Sequence, residues 1–335
     1  MYEGWKAFRC SALTSLTLIL AYLLDLTFGD PQGFPHPVRL IGRFIAGLEN
    51  SLRRVDSSPS WLVLAGVLLA GTVGGITFLA TLGLIRFLEN FSWLAGLAGS
   101  IFLAYTTLAT RDLQVETRKV LLALEMGDLP KARQELSLLV GRDTARLDEP
   151  EVLRALVETI AENISDGVIA PLFYLGLGGP AWAMTYKAIN TLDSMVGYRN
   201  ERYRHLGWAS ARLDDLANFF PARISGFFIV LSASILRKPW RESWRILLRD
   251  RRKHESPNSA WPEAAMAGAL GIQLGGLNYY FGRPSPKPPI GDRIRPVGRK
   301  DVKEAWKILY LSSFFMLLAA LGLAWVAGSF FDLRF

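Results

Sequence analysis

The chain has 335 residues, a formal net charge of +8 and a hydrophobic fraction of 50%. Its length would suit roughly two soluble domains, but the apolar residues come in long blocks, which are typical of membrane-spanning helices. The single cysteine excludes an internal disulfide and a cysteine-rich zinc motif. The basic excess is a signal of membrane topology; by itself it establishes no anionic substrate, and no nucleic-acid partner is predicted.

Four apolar blocks have, or approach, the length needed to cross a bilayer. They are residues 11–28, 61–85, 91–109 and 308–331, and the last three contain no charged side chain. A spanning helix needs about 20 apolar residues, so these three meet the requirement and the first block is marginal. Because no small-residue cleavage site follows the first block, we predict an uncleaved span rather than a secretory signal peptide.

Two further apolar segments, residues 167–184 and 222–236, are interrupted or short. The first contains Pro171 and the run Gly178-Gly179-Pro180, and the second begins directly after Pro221. Broken helices at membrane depth are tolerated where they are buried in protein or line a cavity. We therefore predict that both segments are broken or re-entrant rather than clean spans.

Residues 111–166 are predicted to form soluble helices on the cytoplasmic side. Apolar periodicity predicts helices over 111–126 and 131–140. The string Asp148-Glu149-Pro150-Glu151 predicts the start of a third helix that runs toward Asn163, because acids and an early proline favour a helix N-terminus.

Residues 237–307 form a basic segment with 16 Lys and Arg, which favours the cytoplasmic side. Within it, residues 284–289 are predicted to be a proline-rich surface loop. The fold class is therefore all-α: a polytopic integral membrane protein of the cell membrane, with residues 1–335 forming one membrane-embedded domain and the active site facing the cytoplasm. If every apolar segment crossed instead, the polar stretches would be split between the two sides.

Asp25, Asp30, His36 and Arg39 lie at the end of the first span. Carboxylates near a membrane boundary are costly unless they are hydrated, paired or bound to a cation. The group predicts either a cation or phosphate site or a turn with capping aspartates.

Glu158, Glu162 and Asp166 are the most informative acids, because the spacing i, i+4, i+8 places them on one face of an α-helix. Like charges at this spacing repel, so a cation should compensate them. Mg²⁺ prefers carboxylate and water oxygens and often bridges to substrate phosphates. The three acids are therefore candidate catalytic and metal-binding residues, and a solvated acidic face is the alternative.

Polar residues are dense between positions 186 and 223, where they predict either ligand contacts or positive-inside charges and helix ends. The candidates for phosphate binding are the cations Lys187, Arg199 and Arg202. The second candidates for a metal site are the acids Asp193, Asp214 and Asp215.

Farther along the chain, Glu263 is a candidate substrate-binding residue at the start of a run of small residues, where a helix N-terminus favours an acid. Tyr279 and Tyr280 could stack on a flat macrocycle or anchor the chain at the headgroup level. The chain has no GxxxxGK[ST], HExxH, GxSxG or Rossmann motif, so a nucleotide would have to bind without a common phosphate-binding loop.

Long strings in these segments resemble the adenosylcobinamide-phosphate synthase family, the membrane amide-forming enzymes of cobalamin biosynthesis. The resemblance extends from about residue 20 to about residue 300. It is carried, in family order, by LLDLTFGDP, PHPVRLIGR, ETIAENISDGVIAPLFY, AMTYKAINTLDSMVGYRNERY, ARLDDLANFFPARI, ESPNSAWPEAAMAGALGIQLGGLNYYFG and IGDRIRP.

The resemblance implies a carbon–nitrogen ligase that uses ATP and Mg²⁺. Its corrinoid substrate would be adenosylcobyric acid, whose free propionate is joined to aminopropanol phosphate or ethanolamine phosphate to give adenosylcobinamide phosphate. Read against this chemistry, Glu158, Glu162 and Asp166 would bind Mg²⁺ or deprotonate the amine, and Arg223 would join the phosphate contacts. The residues assigned to orienting substrate amides and hydroxyls are Asn163, Asn190, Asn218 and Asn258.

Two other functions are compatible with parts of the sequence. A transporter of an anionic cobalamin precursor would suit the broken helices, although no repeated halves are visible. A membrane alcohol phosphotransferase typically needs a DxxDGxxAR-type string, which Asp166-Gly167 does not begin. The expected partners are the two substrates and the lipid bilayer, with a homo-oligomer or a complex with other membrane enzymes of cobalamin assembly as further expectations.

Overall fold

The computed structural model describes residues 2–30, 36–198, 200–280 and 282–330. The chain divides into two compact units, which are described separately. Unit 1 is Met1–Ala109, Ala170–Asn218 and Met316–Phe335, and unit 2 is Thr110–Ile169 and Phe219–Phe315. The single domain predicted for residues 1–335, and the predicted bounds and sides of its spans, stay predictions.

Helices dominate the described residues and confirm the predicted all-α polytopic class. In chain order the elements are α1 (Tyr2–Phe28), α2 (Pro37–Val55), α3 (Pro59–Phe91), α4 (Trp93–Tyr105), α5 (Thr110–Glu125), α6 (Leu129–Ser137), α7 (Glu149–Asn163), a π-helical turn (Ile164–Ile169), α8 (Ala170–Val196), α9 (Trp208–Ala217), α10 (Phe219–Ile235), α11 (Trp240–Asp250), α12 (Ala260–Leu270), β1 (Leu274–Tyr280), β2 (Arg283–Ile290) and α13 (Arg299–Phe330).

Several helices have the length and composition of membrane spans. Among the described residues, four helical stretches are long and apolar enough to cross a bilayer, or five if the bent pair α9 and α10 forms one span. Helix α3 exposes large apolar side chains along its length, including Leu79 and Phe87. Such a surface would be unstable in water and is suited to lipid. The protein is therefore a multi-pass membrane protein.

Helix α8 is interrupted at Gly178 and Gly179, as the sequence predicts for a broken segment. Gly179 has a φ of 75°, which only glycine adopts readily. The ring of Tyr174 lies 5.1 Å from the ring of Tyr186, centroid to centroid. Twelve residues of continuous α-helix would rise about 18 Å, so the chain must turn back at the two glycines. The two arms of α8 therefore form a helical hairpin.

The core of unit 1 forms where α3 meets α2 and the second arm of α8. Leu69 and Val73 of α3 pack with Ile45 of α2 and Leu192 of α8. Gly66 permits the backbone at Leu206 to approach α3 closely, because a Cβ at this position would lie 2.1 Å from the Leu206 carbonyl oxygen. The close contact depends on the missing side chain.

We expect Gly66→Ala to destabilise the protein by about 1–3 kcal/mol, because the added methyl group forces the packed backbone apart. Gly71 of the same helix is a matched control, since no atom lies within 4 Å of its corresponding position. The thermal midpoint of the detergent-solubilised protein should fall for Gly66→Ala and hold steady or rise slightly for Gly71→Ala. Equal midpoints for the two variants would contradict the packing.

Unit 2 contains the predicted helices of residues 111–166, which are confirmed as α5, α6 and α7. Helix α6 ends at Ser137, three residues before the predicted end. Leu124, Leu136 and Leu156, one from each helix, are completely or almost completely buried. The three helices therefore share one apolar core.

Strands β1 and β2 form an antiparallel hairpin in unit 2. The predicted proline-rich surface loop over residues 284–289 is therefore wrong, because these residues belong to β2. Proline cannot donate to a neighbouring strand but is tolerated at a sheet edge, and each strand of a two-stranded sheet has a free edge. The hairpin places Lys287 opposite Gly276.

Candidate functional site

Helix α7 carries the acids Glu158 and Glu162, and a capping box defines its N-terminus. Asp148 caps the helix by accepting a hydrogen bond from the Glu151 amide at 2.9 Å, and the Glu151 carboxylate accepts one from the Asp148 amide at 3.0 Å. This capping box satisfies two amides that have no partner within the helix. The predicted helix start is confirmed.

Glu158 is buried in unit 2 and both of its carboxylate oxygens are engaged. One accepts a hydrogen bond from the Gly275 amide at 2.7 Å, and the other is paired with the Arg142 guanidinium. Arg142 also donates to the side-chain oxygen of Asn278. A metal at Glu158 would have to replace one of these bonds. The arrangement therefore makes Glu158 a structural anchor between α7 and β1.

Gly275 can reach Glu158 because it has no side chain. Its φ is 79°, and a Cβ would lie 2.4 Å from the carbonyl oxygen of Pro288 on β2. A larger residue would be strained by the backbone angle and would clash with the partner strand.

Glu162 lies one helical turn beyond Glu158 and is exposed. Within the described part of the chain its carboxylate makes no hydrogen bond and no ion pair, so it is available to a ligand. Asp166 lies on the π-helical turn that follows α7. The α-helical spacing used for the prediction therefore does not extend through Asp166, and the shared face of the three acids stays a prediction. Turns of the π-helical kind are frequent at functional sites.

Glu263 is 4% exposed and lies in the first turn of α12, as predicted. Burial raises the pKa of Glu263 well above its usual range, and the negative charges of Glu158 and Glu162 raise it further. The neutral carboxylic acid is therefore favoured. Its side chain makes no hydrogen bond or ion pair with any residue that the structure describes.

Lys287 and His254 complete a set that we call the acid–base cluster. Burial lowers the pKa of Lys287, but Glu263 and the other nearby acids outweigh this and the net pKa is raised. Burial, assisted by the charge of Lys287, lowers the pKa of His254 to about 4, so His254 is neutral at pH 7. The acid–base cluster consists of Arg142, Glu158, Glu162, His254, Glu263 and Lys287.

The depressed pKa of His254 should make the stability of the protein depend on pH. The unfolded chain takes up a proton at the usual pKa of 6.5 and the folded chain only near a pKa of about 4. The contribution of His254 to the free energy of unfolding is therefore fully present above pH 6.5 and is lost as the pH falls toward 4. We expect His254→Gln, which cannot titrate, to show a shallower fall of thermal midpoint between these pH values. Parallel pH profiles for the two proteins would contradict the assignment.

The structure brings Arg223 and Asn258 together, both predicted to contact substrate. Arg223 donates to the side-chain oxygen of Asn258 at 3.1 Å and to the Phe219 carbonyl, and its guanidinium stacks 3.5 Å from the Phe219 ring centroid. Asn163 donates to the Thr159 carbonyl within its own helix at 2.9 Å.

Tyr279 and Tyr280 lie on β1. Tyr279 is 41% exposed, and its carbonyl accepts a hydrogen bond from the Asp143 amide at 2.8 Å. Tyr280 is half-buried and lies within electrostatic reach of Lys287. Of the two tyrosines, Tyr280 therefore belongs with the acid–base cluster.

In unit 1, Asp30 and His36 are in contact, with 2.7 Å between the carboxylate oxygen and Nε2. The hydrogen bond from His36 lowers the pKa of Asp30; burial opposes it, and the charges of Arg39 and Lys187 add to the lowering. The structure thus adds Lys187, predicted separately for phosphate binding, to the predicted group that contains Asp30, His36 and Arg39. Asp25 is fully buried in α1.

A second polar network in unit 1 joins Asn190, Asp214 and Asn218. The Asp214 carboxylate accepts hydrogen bonds from Asn218 at 3.0 Å and from Asn190 at 3.4 Å. Tyr186 donates to the Asn218 oxygen at 2.9 Å. The network holds the second arm of α8 against α9.

Other predicted residues are not gathered into these sets. Arg202 is 62% exposed and lies 3.5 Å from the Glu49 carboxylate. Asp215 lies 3.8 Å from Arg212, Asp193 lies on α8, and Arg199 lies outside the described residues. No group of three or more His, Cys, Asp or Glu in the described ranges has a metal-binding arrangement. Convergence of the unit 1 and unit 2 residues on one site stays a prediction.

Sequence reasoning missed Arg142, His254, Lys287 and Asn278. Their contacts join parts of the chain that are far apart; Arg142 and Asn278, for example, are 136 residues apart. The only local signal is the lone cation Lys287 within a run of prolines.

Comparisons with known proteins place the chain among close relatives. The family described as CobD/Cbib protein matches residues 18–309. A relative from Geobacter metallireducens, named Cobalamin biosynthesis protein CobD, is 52% identical over 303 residues, which cover 90% of this chain and 94% of the relative. Relatives of the same name from Listeria monocytogenes and Klebsiella pneumoniae are 47% and 44% identical and cover 88% and 95% of this chain and 93% and 100% of their own lengths. No solved structure matches.

The apolar helices define a polytopic membrane protein, and its acid–base cluster combines side chains that can bind ligands and transfer protons. The chain belongs to the CobD/Cbib family.

Proposed function

We propose that the chain is a carbon–nitrogen ligase of cobalamin biosynthesis. It joins the free propionate of adenosylcobyric acid to the amine of an aminoalcohol phosphate and releases adenosylcobinamide phosphate. The names of the relatives support the biosynthetic context, and the long strings shared with the synthase family support the reaction. We further propose that the site faces the cytoplasm, where the basic excess of residues 237–307 would lie.

The observation that carries the proposal is an accessible carboxylate beside a buried acid and a cation. Amide formation requires an amine that has lost its proton, and Glu162 is unpaired among the described residues. Glu162 accepts the proton of the substrate ammonium, a role typical of a positioned carboxylate. Arg142 neutralises Glu158, so the negative charge of Glu162 is not doubled by its helical neighbour.

ATP and Mg²⁺ belong to the proposal through the family resemblance. ATP would transfer its γ-phosphoryl group to the propionate oxygen and leave as ADP, and the amine nitrogen would then attack the acyl carbon and displace phosphate. Asp166 would hold Mg²⁺ together with phosphate and water oxygens, because Mg²⁺ usually takes only one or two protein carboxylates. The acids Asp193, Asp214 and Asp215 remain the second candidates.

The test uses purified full-length protein in detergent or nanodiscs. Adenosylcobyric acid, ATP and aminopropanol phosphate are added, and the corrinoids are followed by mass spectrometry. We expect adenosylcobinamide phosphate to form only when all three are present with Mg²⁺. Unchanged corrinoid in the complete mixture, with ethanolamine phosphate tested in parallel, would rule out the synthase.

A transporter of an anionic cobalamin precursor is the second candidate, because the helical reversal at Gly178 and Gly179 is a feature of many transporter sites. Proteoliposomes separate the two functions. A transporter would accumulate corrinoid inside the vesicles without changing its mass, whereas the synthase changes the mass without requiring a closed vesicle.

A further inference from the structure

Lys287 is placed beside the acids of α7 by the pairing of the β-hairpin. It lies opposite Gly276, and the neighbouring Gly275 amide is bound to Glu158 at 2.7 Å. Helix α12 packs against α7 and against both strands, which brings Glu263 to the same region of unit 2. Three elements therefore bring titratable side chains to one region of unit 2.

These titratable groups interact electrostatically but are not in direct contact. Glu162, Glu263 and Lys287 interact electrostatically, yet across the described ranges none of the three makes an ion pair or a side-chain hydrogen bond. Arg142 and Glu158, in the same region, are fully paired. Leaving a buried polar group unpaired is costly, so the unpaired state of Glu263, which is 4% exposed, indicates that a ligand completes the set. Lys287 beside it is half-buried.

Asn278 supplies an independent observation. It is 1% exposed, and its side-chain nitrogen has no hydrogen-bond partner in the part of the chain that the structure describes. Its oxygen is held by Arg142, so the amide orientation is fixed. Side chains alternate between the two faces of β1, so Asn278 faces away from the exposed Leu277 and Tyr279 and shares its face with Tyr280. Tyr280 interacts electrostatically with Lys287. A buried donor is thus added to a cation and two acids.

We propose that Glu162, Glu263, Lys287 and Asn278 form the subsite for a small zwitterion, a primary amine that carries a phosphate monoester. The ammonium group lies between the two carboxyl groups, and the phosphate accepts hydrogen bonds from Lys287 and the Asn278 amide. The assignment rests on the proposed function and names where the aminoalcohol phosphate binds.

The charge pattern selects this substrate over the corrinoid. A corrinoid with a free propionate and neutral amides could satisfy Lys287 but offers no cation to Glu162 and Glu263. Inorganic phosphate likewise offers no cation to Glu162 and Glu263. A ligand that bears both charges satisfies all three groups at once, with charge-assisted hydrogen bonds at each end.

The experiment measures binding by calorimetry, using full-length protein in nanodiscs without ATP or corrinoid. The probes are aminopropanol phosphate, propyl phosphate, which lacks the amine, and aminopropanol, which lacks the phosphate. We expect Glu263→Gln to lower the affinity for aminopropanol phosphate at least about tenfold and to leave the affinity for propyl phosphate unchanged. Lys287→Met should lower the affinity for both phosphate probes by a similar factor and leave the affinity for aminopropanol unchanged. Lys287→Arg should restore part of the lost affinity.

Matched controls are Lys300→Met and Glu242→Gln, which remove one charge each from exposed positions. Thermal midpoints verify that all variants are folded. Wild-type affinity in both Glu263→Gln and Lys287→Met, or no binding of aminopropanol phosphate by the wild-type protein, overturns the subsite. If the subsite is overturned but the wild-type protein still forms the amide, the proposed synthase function stands. The predicted binding pattern without amide formation would instead reject the synthase and retain the subsite.

Discussion

Glu162→Gln is expected to reduce amide formation by about 10²–10⁴-fold, the usual contribution of a positioned acid or base. The amide of glutamine can accept a hydrogen bond but cannot take a proton or hold a cation by charge. Glu162 is exposed and makes no hydrogen bond or ion pair with the described residues, so its replacement removes no structural contact. The initial rate of adenosylcobinamide phosphate formation measures the effect.

The matched control is Glu242→Gln, which removes an exposed carboxylate that pairs only with surface arginine in the described structure. Exposed ion pairs contribute little to stability, so both variants should keep the wild-type thermal midpoint. A loss of activity confined to Glu162→Gln supports its role as the base. Near-normal turnover would remove Glu162 from the reaction.

Much of the helical architecture could be predicted from the sequence because its signals are local. Long uncharged blocks predict spans, and the Asp148 to Glu151 string predicts the start of α7. The reversal of α8 follows from Gly178 and Gly179, since two glycines before a proline leave no continuous helix. Each of these features is decided by residues within a few positions of one another.

The interior of the candidate site could not be predicted in the same way. Gly275 binds Glu158 across 117 residues, and the acids of α7 are spaced identically whether their partner is a metal, water or Arg142. The sequence therefore indicated these acids as candidates but not their different states: Glu158 is neutralised by an arginine, Glu162 is accessible, and Glu263 is buried and favours its proton. Lys287 could be assigned to the site only by recognising that a proline-rich stretch forms a strand.

The π-helical turn after Asn163 shows a second limit. The spacing of Glu158, Glu162 and Asp166 predicts one face only if the helix keeps the same period throughout. The sequence ISDGVI carries no signal that decides between an α-helical and a π-helical turn, and packing against α10 accompanies the change. The role of Asp166 therefore has to be argued from its place on the turn rather than from the row of acids.

Arg142→Met is expected to destabilise the protein by about 3–5 kcal/mol, because it leaves the buried Glu158 carboxylate without its cation. The same substitution removes one of the two guanidinium groups that donate to the Asn278 side-chain oxygen, the other being that of Arg154, so the contact between α7 and β1 is weakened at two points. The thermal midpoint of the detergent-solubilised protein should fall strongly, and amide formation should fall with it.

The double variant Arg142→Met with Glu158→Gln separates the lost pair from the uncompensated charge. Glutamine retains an oxygen that can accept the Gly275 amide, and no buried charge remains without a partner. We therefore expect the double variant to be more stable than Arg142→Met alone, with a coupling energy between the two positions of about 0.5–3 kcal/mol. Additive losses would mean that Glu158 does not depend on Arg142. The link between α7 and β1 would then rest on the Gly275 hydrogen bond and on the bonds that Arg154 donates to Leu277 and Asn278.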